Sequence, residues 1–201
     1  MKTVFFDVDT QIDFLFPAGA LYVPGAEKIV QQIAALNRFA ASRGIPVVST
    51  VDAHTENDPE FRDWPPHCVA GTASQAKPAS TLLEKRVVIP NRPGLPPLEG
   101  AHQFVLEKQS VDCFTNVNLP ALLERLAADR YVVYGVVTEI CVKNAALGLL
   151  KIGRPVTIVA DAVRSLNDAA CEAFLTEFMA RGGAMTTSAE LMGSSRELQA
   201  N

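Results

Sequence analysis

The chain has 201 residues, which is enough for one globular domain with a full hydrophobic core. Hydrophobic residues make up 48% of it and charged residues 20%, so the composition excludes a disordered, collagen-like or coiled-coil protein. The 18 basic and 22 acidic residues give a net charge of −4, which argues against nucleic acid as the main partner. We therefore expect residues 1–201 to form a single globular domain.

Strand-like and helix-like segments alternate along the chain. The β-branched and aromatic run of residues 3–8 predicts a strand that is buried on both faces. Apolar residues at helical spacing then predict a helix over residues 26–43, which Gly44 ends. The same criteria predict strands over 47–51, 86–89, 103–107, 131–136 and 156–160, and helices over 119–129, 138–152 and 166–181. This alternation is typical of a three-layer α/β/α domain with a mainly parallel central sheet.

The sequence also bears on the compartment of the protein. Its apolar runs are too short for a membrane helix, and Asp7 and Asp9 interrupt the first run before it reaches the length of a signal-peptide core. The four cysteines form neither a Cys-x-x-Cys pair nor a disulfide scaffold. We therefore expect a soluble, cytoplasmic protein with no membrane partner.

Chemically active residues follow four of the predicted strands. Asp9 follows the first strand, Asp52 and His54 follow the second, Lys108 follows the fourth and Cys141 follows the fifth. In open parallel sheets, ligands bind beyond the carboxyl ends of the strands. Each of these residues alone has an ordinary structural explanation, but their common edge predicts a catalytic site.

Cys141 is the expected nucleophile. It lies in the first turn of a predicted helix, whose unpaired amides and dipole stabilise a thiolate and can form an oxyanion hole. A lone cysteine is more often a small buried apolar residue, and we interpret the other three cysteines in that way. Lys108 would be an ordinary solvated lysine unless it points into the crevice, where its charge would keep Asp9 ionised.

Asp52-x-His54 and His67 have the composition of a metal site. Two side chains at positions i and i+2 of a strand end face the same side, and histidine with carboxylate suits zinc, iron or manganese. Glu60 or Asp58 is expected to complete the ligand set.

Five segments of the sequence carry a family resemblance. They are residues 9–14 (DTQIDF), 19–25 (GALYVPG), 52–54 (DAH), 64–72 (WPPHCVAGT) and 135–142 (GVVTEICV). Taken together, and in this order, they resemble the cysteine hydrolases of the isochorismatase-like superfamily and, within it, the nicotinamidases or pyrazinamidases. The resemblance covers nearly the whole chain and implies the isochorismatase-like hydrolase fold.

The resemblance implies a catalytic triad of Asp9, Lys108 and Cys141. Asp9 would take the thiol proton and pass it to the leaving ammonia, while Cys141 attacks the amide carbon to give a thioester. The backbone amides of Val137 and Cys141 would form the oxyanion hole, beside a family cis peptide at Val136–Val137. Water activated by Asp9, with or without help from the metal, would then release the acid.

The resemblance also implies one divalent metal ion bound by Asp52, His54 and His67. Zinc is the expected metal, with iron and manganese as alternatives. Nicotinamidases often have a further histidine ligand after the Asp-x-His motif, but residues 55–63 contain none. Glu60 stands at a spacing where some members place that ligand, so Glu60, Asp58 or water would take its place.

The substrate contacts follow from the same resemblance. In nicotinamidases the metal also binds the pyridine nitrogen of the substrate. Phe14, Trp64 and Phe114 are therefore expected to pack against the substrate ring.

Three functions remain to be weighed. The leading hypothesis is a nicotinamidase that converts nicotinamide and water to nicotinate and ammonia in NAD salvage, a branch of pyridine nucleotide biosynthesis. The alternative is an isochorismatase-like hydrolase acting on another small amide or on a vinyl ether, although vinyl ether chemistry needs an acid and has no use for the Cys141 nucleophile. The third is a catalytically silent metal-binding or oligomer-building module, against which the complete triad argues. Because the family is commonly oligomeric, we expect a homo-oligomer.

Overall fold

The computed structural model describes the backbone of residues 1–197 and the side chains of residues 1–193, so the last four residues of the expected domain lie outside it. Seven strands form one sheet: β1 (Thr3–Val8), β2 (Val47–Asp52), β3 (Arg86–Ile89), β4 (Gln103–Lys108), β5 (Arg130–Val136), β6 (Val156–Arg164) and β7 (Ala184–Thr186). Their order across the sheet is β3-β4-β2-β1-β5-β6-β7. Each neighbouring pair is parallel.

Helices cover both faces of the sheet. They are α1 (Ile12–Leu15), α2 (Val30–Ser42), α3 (Leu119–Leu126), α4 (Lys143–Lys151), α5 (Asp168–Ala180) and α6 (Ser188–Glu197). Helix α2 packs with α6, and α4 packs with α5. The expected three-layer α/β/α architecture is therefore confirmed. No helix within residues 1–197 is both long and apolar enough to cross a membrane.

The predicted elements differ from the observed ones at two helix starts and at two ends: α3 ends at Leu126 and not at residue 129, and β6 continues to Arg164 beyond residue 160. The predicted helix over 26–43 begins as a 3-10 turn, Ala26–Ile29, before α2, and Gly44 follows it with φ of 65°, as expected for a helix-ending glycine. The predicted helix over 138–152 begins with a π-helical turn, Thr138–Val142, before α4. Strand β7 and the helices α1 and α6 were not predicted.

The centre of the sheet determines where the site forms. All six residues of β1 are buried. Strand β2 pairs with one edge of β1, and β5 pairs with the other edge. Such a reversal of strand order opens a ligand crevice at the carboxyl ends of the strands. Gly135 (φ 121°) leaves no room for a Cβ atom against the backbone of Val8, so β5 approaches β1 closely at this end.

Candidate active site

A buried ion-pair network lies at the carboxyl ends of β1, β2 and β4. Nζ of Lys108 lies 2.9 Å from Oδ2 of Asp9 and also forms an ion pair with Oδ1 of Asp52. Asp52 and Lys108 are register partners on neighbouring parallel strands, which explains why their side chains meet. The Thr50 hydroxyl donates to Oδ1 of Asp9 over 2.6 Å. The structure thus brings together the Asp9 and Lys108 that the sequence singles out.

Burial and charge set the protonation of this network. Burial raises the pKa of Asp9, although Lys108 acts to lower it. Burial alone would raise the pKa of Asp52, but the charge of Lys108 and the nearby rings of His54 and His67 hold it well below its usual range. Burial alone would lower the pKa of Lys108, but Asp52 and Asp9 raise it well above its ordinary value. Asp9 is therefore the carboxylate that accepts a proton more readily.

Cys141 lies in the π-helical turn that follows β5 and borders the cavity. Burial raises the pKa of its thiol well above the ordinary value. The charge of Asp9 and a hydrogen bond to Asp9 also raise this pKa, whereas the charge of Lys108 lowers it. The position at a helix start suggested a stabilised thiolate, but two carboxylates face one ammonium here, so the thiol form is favoured. The peptide bond Val136–Val137 is cis, in agreement with the family resemblance.

Metal-ligand atoms converge beside the network. Oδ2 of Asp52 lies 3.9 Å from Nε2 of His54 and 3.6 Å from Nε2 of His67. Oε2 of Glu60 lies 3.4 Å from Nε2 of His54. Such separations suit side chains that share one ion at about 2.0–2.2 Å from each donor. Asp52, His54 and His67 therefore could hold a metal ion.

The two imidazole rings are oriented for metal binding. Nδ1 of His67 lies 2.8 Å from the Pro65 carbonyl oxygen, and Nδ1 of His54 lies 3.2 Å from Oδ2 of Asp58. Both Nε2 atoms then face Asp52, and neither buried ring nitrogen of His54 has a hydrogen-bond partner of standard geometry among the described residues. An oxygen acceptor at one ring nitrogen that leaves the other free is the usual environment of a ligating histidine. Glu60 thus lies on the metal side of His54 and Asp58 on the opposite side.

The charges around the rings also favour a cation. Burial alone would lower the pKa of His54, but Asp52 and Asp58 raise it. Burial and the charge of Asp52 raise the pKa of Glu60. The negative charges of Asp52 and Asp58, which contribute to these shifts, would attract a divalent ion.

Backbone pairing holds the two histidines together. The His54 amide donates to the Cys68 carbonyl over 3.1 Å, and the Ala70 amide donates to the His54 carbonyl over 2.9 Å. The Cys68 amide in turn donates to Oδ2 of Asp13 over 2.6 Å. The Gln11 side chain accepts from the Asp52 amide over 2.6 Å and donates to the Asp52 carbonyl over 2.8 Å. Gln11 and Asp13 of the opening motif therefore fix the metal-binding segments, a role that the sequence did not reveal.

A cavity opens onto this site, and the empty space of the cavity together with its solvent-open mouth is about 370 Å³. Apolar side chains dominate its wall, and its polar side chains come from the metal-ligand set and from Cys141. The lining residues are Phe14, Leu21, Asp52, Glu60, Trp64, His67, Val111, Val137, Ile140, Cys141 and Leu166. Within the described part of the chain, this lining includes no lysine or arginine.

The expected site residues thus fall into three groups. Asp9, His54 and Lys108 are buried next to the cavity. Seven others line it: Phe14, Asp52, Glu60, Trp64, His67, Val137 and Cys141. Phe114 lies elsewhere: its ring packs on Gly148 of α4, leaves no room there for a Cβ atom, and borders a separate surface depression. This placement corrects the expectation that Phe114 packs against the substrate. Leu21, Val111, Ile140 and Leu166 were not predicted, because apolar residues in loops and turns carry no chemical signal.

The chain is similar to known proteins over most of its length. The isochorismatase domain family model matches residues 3–190. Nicotinamidase of Escherichia coli is 27% identical over 180 residues, covering 80% of this chain and 82% of that protein. Maleamate amidohydrolase of Pseudomonas putida is 25% identical over 193 residues, covering 95% of this chain and 85% of that protein. The crystal structure of pyrazinamidase of Pyrococcus horikoshii in complex with zinc superimposes with a TM-score of 0.79 at 28% identity, covering 93% of this chain and 99% of that chain.

Proposed function

This chain belongs to the isochorismatase family, and on that premise we propose that it is a metal-dependent nicotinamidase, which hydrolyses nicotinamide to nicotinate and ammonia. The observation that carries the proposal is the shared cavity. Cys141 borders the same apolar space as Asp52, Glu60 and His67, so one small ring can contact the nucleophile and the metal-ligand set together.

The buried network supports a thioester mechanism. Asp9, whose pKa is raised by burial, accepts the proton of the Cys141 thiol as the sulfur attacks the amide carbon. The same proton then goes to the leaving ammonia. The backbone amides of Val137 and Cys141 hold the oxyanion, and Asp9 in turn activates the water that releases the acid. Lys108 keeps Asp9 and Asp52 together throughout.

The metal site supports substrate positioning. Asp52, His54, His67 and Glu60 are the proposed ligands, and zinc is the proposed metal, with iron or manganese as alternatives. A bound divalent ion would supply a Lewis acid that orients the substrate ring and increases the acidity of water. Phe14 and Trp64 are proposed to pack against the ring, since both line the cavity.

The charge of the cavity wall distinguishes nicotinamide from carboxylate-bearing amides. Maleamate carries a carboxylate next to its amide, and such a substrate needs a cationic partner in a desolvated site. Among the described residues, the lining has no basic side chain, so the proposed metal ion would be its only cation, and Asp52 and Glu60 would already share the charge of that ion. An uncharged aromatic carboxamide therefore fits this lining better than maleamate does.

The decisive experiment is ammonia release by the metal-loaded protein. Wild type is expected to release ammonia from nicotinamide and much less from maleamate, and Cys141→Ala is expected to release none. If wild type is inactive on nicotinamide but hydrolyses another carboxamide, the substrate assignment is wrong. An active Cys141→Ala variant would reject the thioester mechanism.

The wider setting is proposed from family membership. We place the reaction in NAD salvage and the protein in the cytoplasm as a homo-oligomer. Size-exclusion chromatography with light scattering tests the last point, and a monomer at micromolar concentration would reject it.

A further inference from the structure

Leu166 lies at the mouth of the cavity. It is 45% exposed, whereas the other described residues of the cavity lining are buried or half-buried. It belongs to the loop between β6 and α5, which supplies none of the proposed catalytic or metal-binding residues. Because Leu166 both lines the cavity and is exposed, its side chain is placed to contact a molecule that enters.

The side chain of Glu139 holds this loop in place. Its Oε1 accepts hydrogen bonds from the backbone amides of Leu166 over 2.9 Å and of Asn167 over 2.8 Å. Glu139 lies in the same π-helical turn as Cys141. Asn167 in turn caps α5, because its side chain accepts from the Ala170 amide over 2.9 Å. One carboxylate thus fixes the mouth of the cavity relative to the nucleophile.

We propose that Leu166 selects substrates by size and that Glu139 is its positioning residue. This inference rests on the proposed function, since it concerns which amides reach Cys141. The leucine side chain narrows the entrance, so that an amide bearing a single six-membered ring passes and one bearing a fused bicyclic ring does not. Steric exclusion of this kind is worth about tenfold or more in selectivity.

Alkylation of Cys141 measures the width of the entrance without relying on any substrate. Iodoacetamide serves as the small reagent and N-(1-naphthyl)iodoacetamide as the bulky one, with the Cys141 peptide quantified by mass spectrometry. The measured quantity is the ratio of the alkylation rate with the bulky reagent to the rate with the small reagent. In Leu166→Ala this ratio is expected to rise about tenfold. The matched control is Ile152→Ala: Ile152 is 47% exposed and lies outside the cavity lining, and its removal is expected to leave the ratio unchanged.

The Glu139 variants test the positioning role. Glu139→Ala is expected to raise the ratio as Leu166→Ala does, and Glu139→Gln, which keeps an oxygen acceptor for both amides, is expected to retain the wild-type ratio. A ratio within twofold of wild type in Leu166→Ala overturns the size-selection proposal, and a Glu139→Gln ratio equal to that of Glu139→Ala overturns the positioning role. Failure of wild type to hydrolyse nicotinamide would reject the proposed function while leaving these ratios interpretable.

Discussion

Nζ of Lys108 lies 2.9 Å from Oδ2 of Asp9, and both side chains are buried inside the protein. The same ammonium also pairs with Asp52, so a single cation connects the proposed base to the proposed metal-ligand set. This arrangement gives Lys108 no freedom to act as a proton donor, because its pKa is raised well above the ordinary value. Its proposed role is to stabilise the charge of two carboxylates and to keep them close together.

Replacing Lys108 with methionine is expected to remove turnover and to lower the free energy of unfolding by about 3–5 kcal/mol, because two buried carboxylates lose their counter-charge. Urea denaturation and ammonia release measure the two effects. The matched control is Lys77→Met: Lys77 pairs with Asp7 over 3.0 Å in a buried position outside the cavity lining. Lys77→Met is expected to destabilise the protein similarly and to retain activity at temperatures where the variant is folded. Equal loss of activity in both variants would show that destabilisation alone explains the Lys108 result.

The reaction of Cys141 with iodoacetamide is expected to accelerate as the pH rises past the ordinary cysteine pKa of about 8.5. The thiolate is the reacting form, and burial with Asp9 raises the pKa of this thiol, so its thiolate fraction is still increasing at that pH. In Asp9→Asn the carboxylate charge is gone, so the curve is expected to shift to lower pH. A rate that is already constant below pH 8 in the wild type contradicts the neutral-thiol resting state.

Removal of a metal ligand is expected to lower the metal content of the purified protein. His54→Ala and Glu60→Ala are expected to contain less metal than wild type by elemental analysis, because each removes a donor that faces the shared centre. His102→Ala serves as the control, since among the described residues the two groups of side chains that could hold a metal ion are Asp52, His54 and His67, and His54, Asp58 and Glu60. Full metal content in both ligand variants would reject the proposed ligand set.

Asp58 is expected to act on the metal through His54. Asp58→Asn should weaken metal affinity about 10- to 100-fold, because Oδ2 of Asp58 lies 3.2 Å from Nδ1 of His54 and orients that ring. Competition with a chromophoric chelator measures the affinity. An affinity loss as large as that of His54→Ala would instead indicate that Asp58 is itself a ligand.

Gly135 is expected to tolerate no side chain. Gly135→Ala should lower the free energy of unfolding by about 4 kcal/mol or more, since the new Cβ atom meets the backbone of Val8 in the centre of the sheet. Gly44→Ala is the matched control: Gly44 also has positive φ but open space around it, so the cost should be about 1–2 kcal/mol. Similar losses of stability in the two variants, measured by urea denaturation, would contradict the close approach of β1 and β5.

The sequence predicts that Asp9, Asp52 and Lys108 converge, because they occupy strand ends. Asp9, Asp52 and Lys108 follow or end apolar strands, and parallel strands bring those ends to one edge of the sheet. Loop residues are harder to predict, since their position depends on contacts that are distant in sequence. Phe114 is aromatic and close in sequence to Lys108, yet it packs on α4, whereas Leu166 has no chemical signal but reaches the cavity.

The last elements of the fold were missed for a different reason. Strand β7 has three residues, none of them buried, and α6 is rich in polar residues, so neither produces a clear hydrophobic period. The π-helical turn before α4 also has no sequence signature, because its first residues look like the beginning of an ordinary helix.

The strand order has a consequence for how the active protein is made. Central strand β1 pairs with β2 and with β5, and the ion pair between Asp52 and Lys108 joins positions 56 residues apart. Such long-range pairings close large loops before they gain stability, so a chain of this topology folds slowly. The catalytic network needs strands from both halves of the sequence, so recovery of activity after dilution from denaturant should coincide with completion of the sheet. A fragment that ends before β4 would contain the base but no ammonium to pair with it.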